Sequence, residues 1–336
     1  MNQGSLVQHI VSVRAGRAIT IALLFLLGCQ AAPFQAPAGV PGLPESARVR
    51  ESRTQLHDRS RERAIPIKIY EPETGDGPWP LVIFSHGLGS SREGYRYLGR
   101  HWAAHGYLVI HLQHAESDNR LTRLALYRAA LAGDVEGHRP RDVSSVIDAL
   151  EGKPNAGPQD AVLARLQSRV DLRRIGVAGH SFGAYTVLAV AGLLIDFPDS
   201  ADRSFHDPRV RAAVAISSPK IFGAPRREDY RAIAIPILHL TGTEDRTRFL
   251  RTSVRDRRIP FDAISGDQYL VTVRGARHGS FAQEPGATEA SRDKKLAQAL
   301  ASEVTLRFWN AFLLGVPTDR SWLDKTRLPF ATIERR

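Results

Sequence analysis

The segment Gly179-His180-Ser181-Phe182-Gly183 constrains this chain more than any other. It is a G-x-S-x-G pentapeptide placed between two apolar runs of different character. Arg174 to Ala178 is short and β-branched, which predicts a buried strand, whereas Phe182 to Ile195 is rich in Ala, Leu and Val and long enough for a buried helix. A serine between them sits on a sharp strand-to-helix turn, held out of the plane of the sheet. The glycines leave room for the turn and for close packing of helix on strand. The helix start offers backbone N–H groups where negative charge would develop.

The surrounding sequence supplies a sheet for that turn. Val49 to Tyr70 reads as two strands joined by a polar turn, with Pro66 arguing for an edge position. Leu81–Phe84 and Tyr107–Ile110 read as buried strands flanking a helix from Arg92 to His105. Arg141–Leu150 is an amphipathic helix with Val143, Val146, Ile147 and Leu150 on one face. Further strands are expected at Val210–Ile216, Ile235–Leu240 and Gln268–Val273, then a long helix presenting Leu296, Leu300, Val304, Phe308 and Phe312. Alternation of this kind implies an α/β fold, a mainly parallel sheet with helices on both faces. Residues 113–140 are extra material, with a short helix expected near Asn119–Leu131, and form either a candidate lid or a structural packing element.

A serine hydroxyl needs a base, and the base needs an orienting carboxylate. In a fold of this type the chain order is serine, acid, histidine. Two loops after late strands provide candidates: Thr241-Gly-Thr-Glu-Asp245 and Gly275-Ala-Arg-His278. Both fall at the carboxyl ends of parallel strands, the edge where Ser181 belongs. His278 is the candidate base and Asp245 the candidate acid, with Glu244 as its neighbouring rival. The candidate oxyanion donors are the N–H of Phe182 and that of Leu88, in the glycine-rich loop Ser85-His86-Gly87-Leu88-Gly89-Ser90. His86 and His180 read as supports for these loops.

Other chemistries fit less well. Gly87-x-Gly89 lacks the third glycine of a dinucleotide site. His101 and His105 are spaced as a helical metal pair, but no third ligand accompanies them. No cofactor or metal is therefore expected. The net charge of +11 comes from arginine, since only Lys68, Lys153, Lys220, Lys294, Lys295 and Lys325 are lysines. These arginines are dispersed among acidic residues and form no recognition motif, which argues against nucleic acid as a partner.

The amino terminus carries an address. Ile19 to Leu27 is an apolar run preceded by Arg14 and Arg17, the length of a signal-peptide core and too short to span a bilayer. Leu26-Leu27-Gly28-Cys29 resembles a bacterial lipobox, and Cys29 is the single cysteine of the chain. The expected organisation is a signal peptide over 1–28, a lipid-anchored Ala/Pro/Gly-rich tether over 29–46 and one catalytic domain over 47–336. The expected location is the cell envelope, and Gln30 after the cysteine, by resemblance to Gram-negative sorting rules, implies the outer membrane if the cell is of that type.

Together, GHSFGAYT, RPRDVSSVIDAL and PLVIFSHGLGSSREGYRYLGRHWAAHGYLVI resemble the α/β-hydrolase superfamily from about Ile65 to Leu314. Within it, they are similar to the dienelactone hydrolase, chlorophyllase and platelet-activating-factor acetylhydrolase-like group. The resemblance implies the α/β-hydrolase fold and a serine esterase or lipase without cofactor, acting on a small or lipid-like ester. Serine at 181 departs from dienelactone hydrolases, which use cysteine, and argues against dienelactone as substrate. The same triad could cleave amides, and a catalytically silent surface-tethered binding protein is the alternative from another class.

Overall fold

A computed structural model describes residues 48–115, 137–154, 161–197, 200–220, 226–248, 251–283 and 291–336. The expected signal peptide and tether, including Cys29, and the helix expected near 119–131 lie outside these residues. So does most of the candidate lid. Its described ends are packed inward, with Gln113, His114, Arg139 and Pro140 buried.

A nine-stranded sheet organises the chain, in the order β1-β2-β4-β3-β5-β8-β9-β10-β11. The strands are β1 (Val49–Asp58), β2 (Arg63–Pro72), β3 (Trp79–Ser85), β4 (Leu108–Leu112), β5 (Val170–His180), β8 (Val210–Ile216), β9 (Ile237–Glu244), β10 (Gln268–Arg277) and β11 (Ala331–Arg335). A separate hairpin pairs β6 (Leu194–Phe197) with β7 (Ser200–Ser204). The run β4-β3-β5-β8-β9-β10 is parallel, and antiparallel β1-β2 and β11 extend its two sides. This is the α/β-hydrolase fold, with the mainly parallel sheet that the alternation of elements implies.

Helices cover both faces because the central strands are apolar on both. On one face α2 (His138–Leu150), α3 (Ala161–Gln167) and α4 (Phe182–Ala191) bury Val143, Ile147, Leu163 and Leu188 against Ile83 and Val177. On the other, α1 (Arg96–Ala104) and α6 (Arg292–Phe312) bury Leu98, Trp102, Leu300, Phe308 and Trp309 against Val82 and Val214. Trp102 and Trp309 meet edge-on at 5.9 Å across this layer. The α6 start is capped by Ser291, whose side chain accepts the Lys294 N–H. Short α5 (Ile259–Ala263) and α7 (Pro317–Lys325) complete the described helices.

Two expectations are corrected. Pro66 does not mark a sheet edge: β2 lies between β1 and β4. The β2–β4 ladder starts at Ile67, so Pro66 lies just outside it, and its carbonyl accepts the Gln113 N–H. The apolar helix after the serine ends at Ala191 and does not reach Ile195. Gly192 takes φ +120°, a conformation that stops a helix, and the chain turns into β6.

Six described histidines are buried, and four of them lose basicity by it. Loss of water is the main cause that pushes His101 and His239 down to about 4, and His111 and His180 to about 3. In the unfolded chain each binds a proton near pH ~6.5. Between about pH 6.5 and 4 the unfolded state therefore holds more protons than the folded state, so stability falls as pH falls. Urea unfolding at pH 7 and pH 5 should show a loss of order 1–2 kcal/mol for each of these histidines. His239→Gln should reduce the pH slope by about one proton. An unchanged slope in that variant would contradict the assignment.

Candidate active site

Strands β3, β5, β8, β9 and β10 run parallel, so the loops after them meet at one edge of the sheet. Ser181 follows β5 directly. Its φ of +55° and ψ of −117° lie outside the regions a residue with a Cβ ordinarily adopts. The conformation is held from two sides. The Ser181 N–H donates to the Ile216 carbonyl at 2.8 Å, and the Ser181 carbonyl accepts from Ala184 at 2.8 Å as α4 begins. The neighbouring glycines permit the crossing: a Cβ on Gly183 would collide with the Ser85 carbonyl oxygen, and one on Gly179 with the Gly183 carbonyl.

The structure brings Ser181, Asp245 and His278 together. His278 Nε2 is 3.0 Å from Ser181 Oγ, and its Nδ1 is 2.9 Å from Asp245 Oδ1. A proton on Nδ1, facing the carboxylate, leaves Nε2 free to accept the Ser181 proton. His278 is 23 % exposed while Asp245 is wholly buried, so solvent and reactant reach the imidazole and not the acid. Glu244 is not at this position. Its carboxylate points outward to Arg277 Nε at 2.8 Å, as expected for consecutive residues leaving a strand on opposite sides.

Burial pushes the Asp245 carboxyl up, but the His278 hydrogen bond and the Arg257 charge outweigh it and hold it at about 2. Asp245 is thus an anion at any working pH. Thr241 Oγ donates to its second oxygen at 2.9 Å. Arg257 is itself buried. Its Nη2 meets Asp245 Oδ1 at 3.0 Å and lies 3.1 Å from His278 Nδ1, while Nη1 donates to the Ser217 and Ser218 carbonyls at 2.8 Å each. One guanidinium therefore ties the loop after β8 to the carboxylate after β9.

His180 supports the base from behind. Tyr95 O–H and His180 Nδ1 are 2.9 Å apart, and His180 Nε2 donates to the His278 carbonyl at 3.1 Å. Because burial keeps His180 neutral, it positions the His278 loop without adding a positive charge beside it.

The two expected oxyanion donors are backbone N–H groups on two different segments. Phe182 opens α4, where an N–H has no acceptor within its own helix. Leu88 is the second residue of a turn closed by Ser90 N–H to the Gly87 carbonyl at 3.1 Å, with Gly89 at φ +73°. That closing bond does not use the Leu88 N–H. His86 braces the same loop: its Nδ1 donates to the Gly87 carbonyl at 2.8 Å and its Nε2 accepts the His114 N–H at 3.2 Å.

Sequence reasoning singled out neither Arg257 nor Tyr95. In an arginine-rich chain nothing local distinguishes Arg257, and its role comes from three loops that only the fold brings together. A further trio, Ser85, His114 and Asp142, is also bonded in series. Ser85 Oγ lies 2.9 Å from His114 Nε2, and His114 Nδ1 lies 2.8 Å from Asp142 Oδ2. All three are fully buried, and Asp142 also pairs with Arg61 and Arg63.

Comparison with known proteins agrees with this architecture. The family described as platelet-activating factor acetylhydrolase, isoform II, matches residues 40–134. A platelet-activating factor acetylhydrolase of Cavia porcellus is 23% identical over 288 residues, covering 74% of this chain and 61% of the relative. Its namesake in Canis lupus familiaris is 24% identical over 233 residues, covering 61% and 48%. That of Bos taurus is 22% identical over 268 residues, covering 68% and 56%. The chain is similar to the platelet-activating-factor-acetylhydrolase-like group of α/β-hydrolases. It spans about half to three fifths of the length of these curated relatives.

The crossing of the serine turn over β3 leaves no space for a methyl group. Gly183→Ala should force α4 away from Ser85 and cost about 2 kcal/mol or more. Thermal unfolding should show a lowered midpoint. A midpoint within a degree or so of the wild type would mean that the close approach is not required.

Proposed function

We propose that this chain is a serine hydrolase that cleaves carboxylic esters through an acyl-enzyme. The carrying observation is the unbroken hydrogen-bond series Ser181 Oγ, His278 Nε2, His278 Nδ1, Asp245 Oδ1 at a solvent-reachable sheet edge. The similarity to proteins named platelet-activating factor acetylhydrolase supports an ester substrate, and we propose a short acyl group on a lipid-like alcohol.

In this reading Ser181 Oγ attacks the ester carbonyl while His278 Nε2 takes its proton. The carbonyl oxygen gains a negative charge, which the Phe182 and Leu88 N–H groups accept as hydrogen-bond donors. The imidazolium so formed is stabilised by the Asp245 anion. The tetrahedral adduct collapses, the ester C–O bond breaks, and His278 returns the proton to the departing alcohol. Water then attacks the acyl-serine with His278 again as base, releasing the carboxylic acid and restoring the Ser181 hydroxyl. Each proton taken is given back, so no other reagent is consumed.

For cellular placement, we propose export with lipid attachment at Cys29 and a membrane-tethered domain. The apolar run at Ile19–Leu27 and the Leu26-Leu27-Gly28-Cys29 sequence support this. Among the described residues no helix is long and apolar enough to cross a membrane.

A fluorophosphonate should label the wild type and fail to label Ser181→Ala, which should also lose at least about 10³-fold in kcat on p-nitrophenyl acetate. Folded wild type that resists labelling would overturn the hydrolase reading and favour a silent binding protein. Matched p-nitrophenyl ester and p-nitroanilide substrates should differ strongly in favour of the ester. Cys29→Ala should leave the membrane fraction, and its retention there would place the anchor elsewhere.

A further inference from the structure

Arg139, the second residue of α2, has no exposed surface. Burying a guanidinium is costly unless its hydrogen bonds are met inside. Here Nη1 donates to the His86 carbonyl at 2.6 Å, and the guanidinium carbon sits 4.6 Å from the centre of the Phe182 ring. These two contacts fall on different segments. His86 begins the loop after β3 that carries Leu88. Phe182 is the first residue of α4, immediately after Ser181.

The rest of α2 reinforces the first contact. Asp142, one turn further along, bonds His114 Nδ1, and the His114 ring bonds Ser85 Oγ. The His114 N–H in turn meets His86 Nε2. Ser85 and His86 are therefore held on their side chains and on the His86 carbonyl. The Phe182 ring is also stacked on Tyr185 at 5.5 Å, so the Arg139 contact lies on a ring with little freedom to move.

We propose that Arg139 is a positioning residue that locks the Leu88 loop and the Phe182 end of α4 into one rigid oxyanion-binding unit. Two backbone donors on separate segments stabilise an oxyanion only if their spacing is set before charge develops. A cation that touches both segments sets it, one by lying over the Phe182 ring and one by donation to the His86 carbonyl. Arg139 does not touch substrate. Its effect should therefore fall on the charged adduct and not on the neutral ester.

This inference rests on the ester-hydrolase reading, and the experiment separates the two. On p-nitrophenyl acetate, Arg139→Met should lower kcat by about 100-fold with KM changed less than about twofold. Affinity for a trifluoromethyl ketone, which forms a reversible charged adduct with the serine, should fall by a similar factor of about 100. Arg139→Lys, which keeps the charge and can reach the His86 carbonyl, should recover about tenfold of the lost kcat. Phe182→Leu keeps the backbone N–H and removes the ring, and should show the same pattern at smaller size. It also serves if Arg139→Met does not fold.

A loss of kcat without loss of ketone affinity would overturn the proposal, as would a rise in KM at constant kcat. No recovery in Arg139→Lys would equally count against it. If Ser181→Ala retained full ester hydrolysis, the underlying reading would fail instead, whatever the Arg139 variants did.

Discussion

The Gly183 backbone lies against the Ser85 carbonyl, and the working edge of this molecule depends on that approach. Side chains normally keep a helix at a distance from a neighbouring strand. With none at position 183, α4 starts directly over the end of β3. The start of α4 and the end of β3 are thereby brought side by side. Ser181 sits at the crossing and takes a positive φ because the chain must reverse from strand to helix without room for a wider turn. Its hydrogen bond to Ile216 ties this strain to β8, one strand further across the sheet. The strain at 181 is thus distributed over three strands and a helix, none of which can relax alone.

Charge is organised as tightly as shape. Asp245 has no exposed surface, yet it remains ionised because three donors converge on it: His278, Arg257 and Thr241. A buried carboxylate with one partner would be exposed to the full cost of desolvation. Sharing among three keeps the charge while fixing the direction of each oxygen. The arginine excess in the composition acquires a meaning here. Arg165 and Arg169 neutralise buried Glu71, Arg61 and Arg63 neutralise buried Asp142, and Arg257 and Arg139 serve the neighbourhood of the serine. Arginine suits these places because its fork satisfies several acceptors from one side chain.

Much of this was legible beforehand, for reasons that differ by element. Strands β3, β4, β8 and β10 are short apolar runs that stand out in the sequence, and α6 repeats its apolar face over many turns. Ser181, Asp245 and His278 could be found because each follows a strand closely, so the chain itself fixes which sheet edge they share. Other features had no such marker. The end of α4 depended on one glycine inside a continuous apolar run. The internal place of β2 depended on where β4 begins pairing, which Pro66 cannot indicate. β11 is half polar and pairs antiparallel with β10 at the end of the sheet. Arg139, Arg257 and Tyr95 act across large sequence separations, and their contacts exist only after folding.

The bonded series Ser85, His114, Asp142 has a bearing on how enzymes are recognised. Its residue types and contact lengths reproduce those of Ser181, His278 and Asp245, yet Ser85 is the last residue of β3 and is sealed from solvent. A geometric template built on three side chains would return both sets from this one molecule. What separates them is not carried by those atoms. Only the second serine has an unusual backbone angle, a helix start at its next residue and an open approach. Detection of such centres should therefore weigh the backbone and the access route above the identity of the trio.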